Sequence, residues 1–380
     1  MKLLLLAGDI DAPLAHIRLR TPLCALAARN GWTVRAKSFH ACTGLDLMQA
    51  DVVVVQRGFL PRALRLQQRA RALGKAVVYE IDDLLTELPP HVTNRDSVLA
   101  HRHVLLRCLQ VADALSVSTE RLLRELAVDC PGLPPAVIVP NHAAPMPTPP
   151  AGPVAALEAA SAPVALIVAS TERLASTPLF AALGDLAPGT FRVIAVGPPA
   201  QQLRDAGIAA EAHALMPREQ FIGLVRSLPN PLAVIPLEAS RFAACKSPIK
   251  WFEYSQLGIP VVCSDVEPYR GVMQDRVTGR LVVNTAQAWR LALGELIGDA
   301  AARRALAAAA HDEVRRRHGV DRALAAWEQV VAAACAAARQ RDDAARRRLQ
   351  RLAAVVTAPL ESVLVRVREH NRARLQRRRG

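Results

Sequence analysis

Short runs of aliphatic and β-branched residues alternate with longer amphipathic stretches along most of the chain, and the alternation occurs twice. In the first series, apolar runs at 2–6, 33–37, 52–56, 76–81, 114–118 and 136–139 have the length of buried strands. Between them, the stretches 18–30, 62–73, 96–111 and 119–126 repeat apolar residues with a helical period. Buried strands alternating with helices predict a parallel sheet covered on both faces. The second series predicts strands at 164–169, 192–196, 233–235, 260–263 and 281–283. Its helices fall at 177–186, 217–227, 247–257, 286–297 and 301–317, and the Ala-rich stretch 320–338 reads as one more. Six prolines between Pro140 and Pro153 mark a semi-rigid linker between the two series.

The pattern therefore predicts an α/β chain of two doubly wound Rossmann-like domains facing a cleft. The domains are expected at 1–143 and 154–318, with a linker at 144–153. A helix at 319–338 and a basic helical tail at 339–380 follow. Ligands of such sheets lie beyond the carboxyl ends of the strands, so the cleft is the expected site. No GxGxxG follows the first strand, which removes the dinucleotide fingerprint. The apolar run 2–6 is too short for a signal peptide and is broken at once by Gly8 and Asp9.

Charge changes the picture at one end only. The net charge is +14, and the stretch 339–380 carries +9 of it, with 13 arginines and 4 acids. After Pro359, Leu360, Val363, Leu364 and Val367 recur at helical spacing, with arginines on the other side. An Arg-rich amphipathic tail suits an anionic membrane surface or a docking partner. No helix-turn-helix, RNA-binding or zinc signature accompanies it, so no nucleic-acid partner is expected. Seven dispersed cysteines without metal spacing fit reduced thiols in a cytoplasmic protein. Metal ligands are not indicated.

The most informative stretch is 246–265, Lys-Ser-Pro-Ile-Lys-Trp-Phe-Glu-Tyr-Ser-Gln-Leu-Gly-Ile-Pro-Val-Val-Cys-Ser-Asp. Ser247 is placed as the helix N-cap, Pro248 at the first helical position and Gly258 as the stop. A helix start flanked by Lys246 and Lys250 is an anion site. Glu253, about one turn on, offers a carboxylate to sugar hydroxyls. Cations for a diphosphate beside an acid for a ribose suggest a nucleotide-sugar site; a solvated helix face with an i,i+3 pair has the same spacing.

This stretch, with 275–283 (Asp-Arg-Val-Thr-Gly-Arg-Leu-Val-Val), Trp289 and 296–299 (Leu-Ile-Gly-Asp), resembles the GT-B glycosyltransferases. The likeness is to the family-4-like, group 1 enzymes of bacterial surface-polysaccharide assembly. In the first half, 51–57, 78–83, 118–120 and 139–141 carry the same likeness. The resemblance implies an N-terminal acceptor domain and a C-terminal donor domain. It implies transfer of a hexose-like sugar from a nucleotide-diphosphate-sugar substrate, without a separate cofactor or metal, to a glycan or lipid-linked acceptor. It places Glu253 on the donor ribose, and Lys246 and Lys250 near the donor phosphates with Ser247. Ser170 and Thr171, just past a strand, are candidates for the donor loop; an ordinary helix cap reads equally well. On the acceptor side, His16, Asp82 and Asp83 are the candidate catalytic residues, and Arg18 and Arg57 candidate acceptor contacts; His16 reads also as an acceptor contact or as a solvated loop histidine. Asp82 and Asp83 read equally as a helix-capping pair, and Arg57 as a partner for a neighbouring carboxylate. Many members carry a second glutamate eight residues before the first; here that position is Cys245. The stereochemical course is thereby left open. So is a second reading, a non-catalytic relative that binds nucleotide sugar or glycan as a partner subunit. A nucleotide-sugar isomerase on the same fold is a third.

Overall fold

The computed structural model describes residues 1–143, 162–174 and 178–340, and it contains two six-stranded parallel sheets. The predicted linker, 144–153, and the tail from 341 onward lie outside the described residues. The first sheet comprises β1 (Lys2–Ala7), β2 (Thr33–Ser38), β3 (Val52–Gln56), β4 (Ala76–Ile81), β5 (Ala114–Val117) and β6 (Ala136–Ile138). Their order is β2-β1-β3-β4-β5-β6. The second comprises β7 (Val164–Ala169), β8 (Phe191–Val196), β9 (Glu211–His213), β10 (Pro231–Ile235), β11 (Val261–Ser264) and β12 (Arg280–Val282), ordered β12-β11-β10-β7-β8-β9. All eleven predicted strands are present. The unpredicted one, β9, is a three-residue edge strand whose Glu-Ala-His sequence has no apolar run to betray it. Strand order reverses between β1 and β3 and between β7 and β10, so each sheet opens a crevice at its carboxyl end.

Two predicted helices differ in the structure. The stretch 96–111 is two helices, Arg95–Ala100 and Arg102–Val111, broken at His101. The stretch 18–30 opens with a π turn, His16–Arg20, before the α-helix Thr21–Asn30. Pro22 supplies the reason. It has no N–H for the Arg18 carbonyl four residues back, and the ladder widens there. The indole N–H of Trp327 takes that carbonyl instead, at 3.1 Å.

Trp327 sits on the helix Val320–Gln340, which follows the second domain in sequence but packs on the first. Leu324, Trp327, Val330 and Val331 share a buried cluster with Leu3, Leu5, Val52, Val54 and Val78 of the first sheet. Each fully buried Val or Leu contributes about 1.5–3 kcal/mol. The segment expected at 319–338 as a separate helix is thus physically part of the N-terminal domain. Where the chain crosses, the Ala143 N–H donates to the His318 carbonyl at 2.9 Å, tying the two crossings together.

Candidate active-site cleft

The carboxyl ends of the two sheets face one cavity of about 950 Å³. Its N-terminal wall is built from the loop after β1 (Gly8, Asp9), Arg57 after β3 and Asp82–Asp83 after β4. Its C-terminal wall is built from Ser170–Leu174 after β7, Pro236–Glu238 after β10, and Lys246, Ser247 and Lys250.

On the N-terminal wall, Arg57 holds both aspartates. It is 3.6 Å from Asp82 and donates to Asp83 at 3.1 Å. Arg57 occupies the left-handed region at φ 48°, a conformation that costs a non-glycine residue about 1–2 kcal/mol. Its N–H bond to the Glu80 carbonyl, together with the two carboxylates, holds it there. Asp82 is buried, and its Oδ1 accepts no hydrogen bond among the described residues. Burial pushes the Asp82 carboxyl above the usual carboxylate range; Arg57 opposes this, while Asp83 and Glu80 add to it. Burial would also raise Asp83, but Lys246 and Arg57 outweigh it and hold that carboxyl below its ordinary value. Neither aspartate caps a helix: the residues that follow form turns, not a helix.

The C-terminal wall carries the lysines. The helix there runs Ile249–Gln256, with Pro248 as its N-cap and no capping side chain. The expectation of Ser247 as cap with Pro248 at the first helical position is corrected. The Ser247 hydroxyl instead accepts from the side-chain amide of Asn141, across the domain boundary. Gly258 does end the segment, at φ 70°. Lys250 donates to the Ala169 carbonyl at the end of β7, at 2.9 Å. Burial pulls its ammonium down to about 8; Lys246 adds to the shift, and Glu253 and Glu172 oppose it. Lys246 lies 3.5 Å from Asp83 and 4.5 Å above the Phe242 ring. Ser170 is no helix cap; its hydroxyl accepts from the Glu172 N–H in a tight turn at the cavity. Gly197 closes on this loop: a Cβ there would stand 2.4 Å from the Ser170 carbonyl.

Two other residues, Arg18 and His16, fall elsewhere than expected. Arg18 is 2 % exposed, so it cannot meet an acceptor. It pairs with Glu80 at 2.7 Å and donates to the Val139 carbonyl and Asn141. In sequence Arg18 looks like its neighbour Arg20, and only its burial distinguishes it. His16 is exposed, rests against Arg20 at 3.1 Å and does not line the cavity. Glu253 also lies outside the lining, one turn beyond Lys250, with Arg218 at 3.6 Å. Burial raises its carboxyl, while Arg218 and Lys250 oppose that.

The structure adds Glu238, Glu172, Arg173 and Asn141 to the cleft. Glu238 stands three residues past β10, a position the strand-end rule could have flagged. A second signal was also available. The chain has five lysines against forty-three arginines, and two of those five are in this cleft. Cys245, where the resembling family carries its other glutamate, is buried in the N-terminal core with a raised thiol pKa of about 12, caused first by burial.

No family model matches the chain, and no curated protein matches it. Solved structures do. Sucrose-phosphate synthase from Thermosynechococcus elongatus superposes with a TM-score of 0.64 at 14 % identity, covering 89 % of this chain and 100 % of that one. Anabaena HepE in complex with UDP gives 0.57 at 15 %, over 87 % of this chain and 100 % of the other. The lipopolysaccharide outer core galactosyltransferase WaaB gives 0.54 at 11 %, over 87 % and 99 %. The chain has the GT-B fold of these glycosyltransferases.

Proposed function

We propose that this protein is a glycosyltransferase that moves a sugar from a nucleoside-diphosphate sugar to an acceptor hydroxyl. The observation that carries the reading is the opposition of the two walls. Lys246, Lys250 and Ile249 at the start of the helix Ile249–Gln256 line the same cavity as Asp82, whose Oδ1 accepts no hydrogen bond among the described residues. The first supply positive charge for a departing diphosphate. The second accepts a proton. In the reaction, the bond from the anomeric carbon to the phosphate oxygen breaks, and a bond from that carbon to the acceptor oxygen forms. The acceptor proton goes to Asp82 and the nucleoside diphosphate leaves. No step is assigned to a metal ion.

The nucleoside half extends along the helix toward Glu253, whose carboxylate receives the ribose hydroxyls. Ser170 and Thr171 line the donor side. HepE was solved with UDP and with UDP-glucose, which supports a uridine nucleotide as the first donor to try. The acceptor is a cell-surface glycan or its lipid-linked precursor. Among the described residues no helix is long and apolar enough to cross a membrane, and the basic tail is proposed to hold the protein at an anionic surface.

A partner-subunit reading is favoured by one fact: Cys245 brings no charge into the cleft. Two measurements separate the readings. Calorimetry with UDP, GDP and ADP tests the donor site, and release of nucleoside diphosphate from the matching sugar donor tests catalysis. Binding without turnover on any acceptor would establish the subunit reading; no binding at all would remove the donor site.

A further inference from the structure

Lys246 belongs to the donor domain by sequence but is held by the other domain. Arg241 donates to Glu87, Glu125 and Asp129, all of the N-terminal domain. Phe242 and Cys245 lie within the N-terminal hydrophobic core. The Thr119 hydroxyl donates to the Cys245 carbonyl at 3.0 Å. The backbone leading into Lys246 is therefore fixed against the acceptor wall, and only its side chain is free to choose between partners. One of those partners is Asp83, at 3.5 Å. The side chains are 31 % and 21 % exposed, and both line the cavity. Lys250, by contrast, rests on a carbonyl of its own domain.

We propose that the Lys246–Asp83 ion pair is a latch across the cleft, which the donor's diphosphate opens by taking Lys246 away from Asp83. The inference rests on the donor-site reading above. Its consequence is order. With Lys246 engaged by phosphate, Arg57 alone serves Asp82 and Asp83, because Arg18 is committed to Glu80 behind them. The acceptor wall then gains Asp83 Oδ1, freed from Lys246, beside the unbonded Oδ1 of Asp82, only after the donor has arrived.

The test is calorimetric titration of UDP and of uridine into the full chain and its variants. Asp83→Asn removes the competitor for Lys246, so UDP is expected to bind about 2- to 5-fold tighter, the range for a half-exposed ion pair. Uridine, which offers no phosphate, is expected to bind as before. Lys246→Met is expected to weaken UDP, and adding Asp83→Asn in that background to change nothing. Asp83→Ser repeats the measurement should the amide variant fold poorly. UDP binding to Asp83→Asn that is equal or weaker, or an equal gain for uridine, overturns the latch and leaves the donor site standing. Failure of UDP, GDP and ADP alike to bind the unaltered protein overturns the donor-site reading and the latch with it.

Discussion

The two walls of the cleft use charge differently. On the N-terminal wall nearly every charge is matched locally. Arg18 is spent on Glu80, and Arg57 on Asp82 and Asp83. On the C-terminal wall, among the described residues, Lys250 donates to a carbonyl and pairs with no carboxylate, and Lys246 borrows its carboxylate from across the cleft. A wall whose charges are balanced internally is architecture with one oxygen left over, that of Asp82. A wall whose cations are left over is ready for an anion. The polarity of the cleft thus follows from which ion pairs are completed at home.

The largest expected effect breaks this comparison at Asp82. A general base contributes about 10²–10⁴-fold, so Asp82→Asn is expected to lower turnover by that much. It should also stabilise the fold at neutral pH. The folded carboxyl is raised, mainly by burial, so stability falls as the pH climbs from the unfolded to the folded value, and the full cost is present above the folded value. That cost vanishes toward the unfolded value near 3.8, and the variant's gain in Tm should shrink with it. A variant that keeps wild-type turnover would place the base elsewhere.

Next in size is Arg18. Removing one partner of a buried pair costs about 3–5 kcal/mol. Arg18→Ala should lose that much stability to denaturant, while Arg18→Met combined with Glu80→Leu should recover most of it. If Arg18→Ala instead kept its stability and lost only acceptor affinity, the wall would not be architecture.

How these residues differ in legibility is physical. Strands declared themselves because burial on both faces demands unbroken apolar runs, as in the four valines of β3. The edge strand β9 escaped because nothing buries it. Lys246 and Lys250 were legible because a helix start is a local feature. Arg18 was misplaced because its partners are 62, 121 and 123 residues away, and no local pattern encodes them. Ser247 was misplaced for a similar reason: its hydroxyl partner, Asn141, comes from the other domain. The home of the helix Val320–Gln340 was also hidden, since its apolar stripe fits either sheet equally well until the chain crosses back.

Lys250 sharpens the comparison at the opposite wall. Burial lowers its ammonium to about 8, against 10.5 in the unfolded chain. Between those values the unfolded state holds more protons, so stability rises with pH across that window and the full cost is present below it. Lys250→Met should therefore melt higher than the parent at pH 7 while binding UDP about 10- to 100-fold more weakly, the loss of one charge-assisted contact. Uridine should bind unchanged. Equal losses for both ligands would put Lys250 away from the phosphates.

The smallest effect on chemistry is expected from the tail, where the contrast is between a body with little net charge and an end with much. The stretch 339–380 carries +9, leaving about +5 for the rest of the chain. Charge of that density and sign does not serve a cleft already supplied with two lysines. It suits a surface, where each basic residue contributes about 1 kcal/mol beside anionic lipid. In the sequence, Leu360, Val363, Leu364 and Val367 recur at the helical spacing that the proposed surface role calls for. Deleting residues 361–380 should lower cosedimentation with vesicles of phosphatidylserine and phosphatidylcholine at low salt. Turnover of a short water-soluble acceptor should stay as it was, because the residues proposed for chemistry all precede 254. Vesicle binding absent in the full chain, or unchanged by the deletion, would remove the membrane role. A truncated protein that loses turnover on the soluble acceptor would make the tail part of the catalytic unit, and the division of labour between cleft and tail would fall.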